Sequence, residues 1–197
     1  MHKKRIAITG GIGSGKSTVL SYLKEKGYAV FSCDEIYRKI VKDEEYIRLV
    51  QSVFPDVVYQ GSIDKERLAN VVFSQGTARE RLNSIAHPWI MRTLFKEIGQ
   101  SDARICFAEV PLLFENGFEK DFDKVLVVLR EKEQRIQAVV ARDGQSKVDV
   151  EKRLNAQFNY EDCKNQQFLQ QEKFHILYNS QSIDVLYRQI DEFLSFV

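Results

Sequence analysis

Gly10-Gly11-Ile12-Gly13-Ser14-Gly15-Lys16-Ser17-Thr18 decides how the rest of the chain is read. Gly10, Gly15, Lys16 and Ser17 complete the pattern G-x-x-x-x-G-K-[ST], the Walker A phosphate loop. The apolar run Arg5–Thr9 precedes it like a buried strand, and Val19–Lys26 follows with helical spacing that stops at Gly27. Glycines let the backbone curl with its N–H groups pointing inward, and the new helix adds its positive N-terminal end. Gly11, Ile12, Gly13, Ser14, Gly15, Lys16, Ser17 and Thr18 are therefore expected to bind a nucleoside triphosphate. In that arrangement Lys16 reaches the β/γ-phosphates and the Ser17 hydroxyl ligates Mg²⁺. With glycine at about 7% of average composition, a chance match needs roughly a hundred or more chains of this length.

The 197 residues can bury one good core, with room for a small inserted subdomain. Lysine and arginine number 29 against 28 aspartates and glutamates, a net charge of +1. That balance predicts a small-molecule partner, with neither nucleic acid nor membrane. Cys33, Cys106 and Cys163 are far apart and form no C-x-x-C, so buried free thiols are expected. The basic start Met1–Arg5 runs straight into the phosphate loop, and no run is long enough to span a bilayer. A cytoplasmic protein is expected, and a monomer.

Five short runs rich in Val, Ile and Phe read as strands: 5–9, 29–32, 105–109, 124–129 and 174–178. Helical patterns separate them, which predicts an α/β fold with a five-stranded parallel sheet, a P-loop NTPase resembling the nucleoside-monophosphate kinases. About seventy residues lie between the second and third strands, where a crossover needs only about a dozen. Helical periodicity covers 35–42, 45–54, 65–73, 75–86 and 89–99, predicting a helical substrate lobe over 34–100. Phe54, Phe73, Trp89 and Phe95 read as its core. Helices over 131–141 and 148–158 predict a hairpin lid over 131–158. The nucleotide-binding core is then 1–33, 101–130 and 159–197.

Neither N-K-x-D nor D-x-x-G occurs, so the base-reading and switch elements of a GTPase are missing. A small chain with a helical insert and a basic hairpin fits a small-molecule kinase whose lobes close over two substrates and exclude water. Beyond the loop, the chain carries Cys33-Asp34-Glu35-Ile36, Gly61-Ser62-Ile63-Asp64-Lys65, Leu82-Asn83-Ser84-Ile85-Ala86-His87-Pro88 and Val110-Pro111-Leu112-Leu113-Phe114-Glu115. With Arg142-Asp143, Arg153 and Gln157, these resemble the motifs of the dephospho-coenzyme A kinases from end to end. The resemblance implies ATP-dependent phosphorylation of the ribose 3′-hydroxyl of dephospho-CoA, with Mg²⁺. Another small-molecule or nucleoside-monophosphate kinase, or a homologue that binds ATP without turnover, are the alternatives.

Asp34 follows a strand end, where a carboxylate can accept the hydroxyl's proton; capping the next helix is the competing role. Glu109 ends an apolar strand, as a Walker B acid does, and would hold Mg²⁺ directly or through water. Arg142 would close on the β/γ-phosphates, against the alternative of an exposed pair with Asp143. The resemblance further implies substrate contacts from Thr9, His87, Pro111, Leu112 and Glu115, and an ATP contact from Asn179. For His87 and Pro88 a helix start is the rival reading, and for Glu115 a carboxylate at a helix start. Lys147 reads as solvated surface. Where the family usually carries Gln and Arg in the first hairpin helix, this chain has Arg135 and Ala138.

Overall fold

The computed structural model describes residues 3–74 and 76–197. Contacts divide the chain into two compact units, Met1–Phe31 with Asp102–Val197, and Ser32–Ser101. β1 (Lys4–Thr9) leads through the phosphate loop into α1 (Lys16–Glu25), and β2 (Ala29–Ser32) runs directly into α2 (Cys33–Ile40). The second unit continues with α3 (Glu44–Val53), the strands β3 (Val58–Tyr59) and β4 (Ser62–Ile63), α4 (Lys65–Ser74) and α5 (Ala78–Gln100). The chain returns to the first unit with β5 (Ile105–Glu109), β6 (Lys124–Leu129), α6 (Lys132–Asp143), α7 (Lys147–Asn155), α8 (Cys163–Phe168), β7 (Phe174–Tyr178) and α9 (Ile183–Leu194).

The five-stranded sheet has the order β2-β5-β1-β6-β7. β1 pairs parallel with both neighbours, Ile6 lying opposite Phe107 on one side and Lys124 on the other, and β6 pairs parallel with β7. Near-continuous apolar runs are what a strand covered on both faces requires. Ile6, Ile8, Phe107, Leu126, Val128 and Leu177 form a core with Val19, Leu20 and Leu23 of α1 and Leu186, Ile190 and Phe193 of α9. The spacing of those helical residues keeps them on one stripe per helix. A smaller core joins Ile136 and Val139 of α6 to Val150 and Leu154 of α7, and Ile12 of the phosphate loop packs into it.

In the second unit, Asp43 caps α3 by accepting from the Glu45 and Tyr46 amides. Tyr46, Val50, Ile36, Leu94 and Ile98 are fully or almost fully buried. The β3–β4 hairpin turns at Gln60 and Gly61, both at positive φ (48° and 73°), the geometry a two-residue type I′ turn demands.

The sequence-expected strands are all present, β1 beginning one residue earlier at Lys4. Helix boundaries differ in instructive ways. α2 starts at Cys33, so Asp34 lies in its first turn and Ser32, not Asp34, is the N-cap residue. The hairpin helices shift to Lys132–Asp143 and Lys147–Asn155, which places Arg142 in the last turn of α6 ahead of the left-handed Gly144. The helices expected over 75–86 and 89–99 are one helix, α5, with Pro88 inside it; Gln75 lies outside the described residues. His87 therefore caps nothing. Proline removes one N–H and crowds the preceding turn, and the buried Ala86, Met91, Leu94 and Ile98 hold the helix together across it. Pro88→Ala should restore the hydrogen bond to the Ser84 carbonyl and raise the unfolding free energy by about 1–3 kcal/mol, read from urea denaturation.

Two burial expectations are corrected. Phe73, on the outer face of α4, is 90% exposed, while Phe54 is buried and Trp89 is half-buried against Tyr46 and Arg92. Cys163 is exposed at the start of α8, whereas Cys33 and Cys106 are buried. Among the described residues no helix is long and apolar enough to cross a membrane.

Candidate active site

β1 delivers the phosphate loop, and Gly15 in left-handed conformation (φ 97°) turns it into α1, so Lys16 is the first helical residue. The Lys16 ammonium donates to the carbonyls of Gly10 (2.9 Å) and Gly11 (3.2 Å), folding back over its own loop. Side chains from much later in the chain hold the loop in shape. Gln157 Oε1 accepts from the Ile12 amide (2.7 Å), and Arg135 Nε donates to the Ile12 carbonyl (3.1 Å). Asn179 Nδ2 donates to the Ser14 carbonyl (2.8 Å). Gly13 is required here because its φ is positive (77°) and a Cβ would run into the Arg135 backbone.

Arg135 is thus a loop-holding residue, only 8% exposed. Burial lowers its pKa, and the neighbouring Glu161 carboxylate and Tyr160 work against that fall. Arginine stays charged under such pressure. The Ile12 amide, within the stretch expected to bind the triphosphate, donates to Gln157.

A cavity of about 250 Å³ opens on the loop, lined by Lys16, Ser17, Thr18, Glu109, Arg130 and Arg142 with Gly13 and Gly15. Three cations against one carboxylate make it a receptacle for a polyanion. Glu109, at the end of β5, brings a carboxylate to the same cavity as the Ser17 hydroxyl. Mg²⁺ is usually held by one or two protein oxygens together with substrate phosphates and water, which these two residues fit. Among the described residues there is no cluster of three or more His, Cys, Asp or Glu that would cage a metal by protein ligands alone. Arg142 pairs in bidentate fashion with Asp143 (2.6 and 2.9 Å); the contact raises the arginine pKa and lowers that of the aspartate. Lys147 pairs with Glu133 across the hairpin.

Thr9 is fully buried at the end of β1, beside the Tyr160 phenol. Burial pushes that phenol well above its ordinary range, Glu115 adds to the rise, and Thr9 and Arg135 oppose it. Glu115 begins no helix: it lies in the turns after Pro111 and Leu112 and accepts from the Phe158 amide (2.8 Å).

In the second unit Asp34 is exposed, and His87 is half-buried within α5. A cavity of about 740 Å³ there is lined by Tyr37, Arg38, Lys42, Lys65, Ile63 and Leu68, among others. Asp34, Arg38 and Val41 follow one another at i, i+4 and i+7 along α2, which puts them on one helix face.

A phosphate loop after the central strand of a 2-5-1-6-7 sheet, opening on a cationic cavity that also holds one carboxylate, defines a P-loop kinase. The family model for dephospho-CoA kinase matches residues 4–174. The chain belongs to the dephospho-CoA kinase family. It is 39% identical over 163 residues to the dephospho-CoA kinase of Thermus thermophilus, covering 82% of this chain and 78% of that protein. It is 31% identical over 191 residues to that of Fusobacterium nucleatum, covering 95% of each. A crystal structure of a Thermus thermophilus protein superposes with a TM-score of 0.82 at 32% identity, covering 100% of this chain and 99% of the other.

Gln157, Arg135, Arg130 and Tyr160 are site-building residues to which sequence reasoning assigns no role. Gln157 falls inside the family resemblance and could have been weighed on that ground. Arg135 stands out only as a departure from it, and Arg130 and Tyr160 carry no motif signal.

Proposed function

We propose that the protein transfers the γ-phosphoryl group of ATP to the ribose 3′-hydroxyl of dephospho-CoA, giving CoA and ADP. The observation that carries this reading is the match to the family over residues 4–174, joined to a phosphate cavity that holds Lys16, Ser17, Glu109, Arg130 and Arg142. Loop amides and Lys16 hold the triphosphate. Ser17 and Glu109 would hold Mg²⁺, whose chemistry there would be to neutralise phosphate charge. Asp34 takes the proton of the attacking hydroxyl, and its exposure leaves it open to a substrate. The large cavity of the second unit supports this acceptor. Arg38, Lys42 and Lys65 suit a diphosphate, and the apolar Ile47, Ile63 and Leu68 suit a long neutral arm. The α2 face that begins with Asp34 continues into that cavity. His87, Thr9, Pro111, Leu112 and Glu115 complete the proposed acceptor contacts, and Asn179 acts on ATP through Ser14.

The deciding experiment is an ATP-coupled assay with dephospho-CoA against adenosine and nucleoside monophosphates as competing acceptors. Preferential turnover of dephospho-CoA supports the proposal; equal or better turnover of a nucleoside monophosphate overturns it. Arg142 leaves its pair with Asp143 to neutralise charge on the transferring group, acting from the hairpin as a lid. Arg142→Ala should lower kcat about a hundredfold. Its side chain is 62% exposed, so the thermal midpoint should hardly move.

A further inference from the structure

We infer that Arg130 is a resident phosphate-binding residue, one that grips the triphosphate of bound ATP from the end of β6 before Arg142 leaves its pair with Asp143. Arg130 is the first residue past β6, the strand paired beside β1, so it stands at the same sheet edge from which β1 releases the phosphate loop. It lines the phosphate cavity with Lys16, Ser17 and Glu109. Its Nε donates to Gln134 Oε1 of α6 (3.3 Å), which fixes the plane of the guanidinium. Among the described residues it forms no ion pair. Its two terminal nitrogens therefore remain as a fork for phosphate oxygens, a geometry arginine presents and lysine does not.

The other cations of the cavity are engaged elsewhere. Lys16 is folded onto the Gly10 and Gly11 carbonyls, and the Arg142 fork is filled by Asp143. Ala138 lines the same cavity and brings no charge. Arg130 is half-buried there and held through its Nε alone by the neutral side chain of Gln134. It receives the phosphates, and Arg142 adds its charge afterwards.

The inference rests on the nucleotide site proposed above, but the test needs no acceptor, so failure of dephospho-CoA as substrate would leave it standing. The measurement is calorimetric binding of Mg–ATP to the full chain. Arg130→Ala should weaken binding about ten- to a hundredfold with the thermal midpoint of the free protein unchanged. Arg130→Lys should recover only part of that loss. Arg130→Ala combined with Ala138→Arg, which returns a guanidinium to the cavity from α6, should recover most of it. Gln134→Ala, which leaves the arginine but frees its plane, should weaken binding by a few-fold and serves if Arg130→Ala does not fold. Binding of Arg130→Ala within about twofold of the parent, or a loss that Ala138→Arg leaves untouched, would overturn the assignment. So would unchanged binding in both Gln134→Ala and Arg130→Lys.

Discussion

Asp34→Asn is expected to cut phosphoryl transfer to dephospho-CoA by about 10³-fold while Mg–ATP still binds. Asparagine keeps the size and one acceptor oxygen of the side chain but cannot take a proton from a hydroxyl. Because Ser32 rather than Asp34 occupies the N-cap position, and Asp34 is exposed, the substitution removes no cap and no packing. The stability cost should therefore stay within about 0.5 kcal/mol. Steady-state turnover beside a denaturation curve separates the two effects. Turnover within about tenfold of the parent, with fold and ATP binding intact, would show that the proton goes elsewhere.

Lys16→Ala should cost about 10³-fold in kcat/KM for ATP and weaken nucleotide binding as well. The two losses arise together because Lys16 supplies charge to the bound ground state and to the transition state. In the free protein the ammonium caps the Gly10 and Gly11 carbonyls, so its removal also leaves those acceptors to water. A small fall in thermal midpoint should accompany the kinetic loss, in contrast to Asp34→Asn. Measured by calorimetry and initial rates, a normal ATP affinity in Lys16→Ala would mean that the loop amides and the arginines of the cavity bind the phosphates without it.

The strands are legible in the sequence because a doubly covered parallel sheet demands unbroken apolar runs, and each run here is bounded by turn or helix signals. The phosphate loop is legible because its chemistry is local: glycines, a lysine and a serine at fixed spacing. Pro88 hides the continuity of α5, since the local cost of proline is plain in the sequence whereas the buried contacts that meet it are not. Phe73 shows the reverse error: an aromatic at a helix end reads as core, but only packing decides which face is covered. The residues that shape the site are the least legible. Arg135 appears as a missing glutamine until its Nε is seen on the Ile12 carbonyl, and Gln157, inside the helix expected over 148–158, lies past the end of α7 and turns to the loop.

Arg135, Gln157 and Asn179 reach the phosphate loop across 123, 145 and 165 positions of sequence. That separation sets a schedule during synthesis, since long-range contacts form only after both partners exist. A nascent chain that has emerged as far as β6 already carries the whole Walker motif, yet none of the three side chains that give the motif its shape. The three long-range braces of the loop are therefore complete only with the arrival of Asn179.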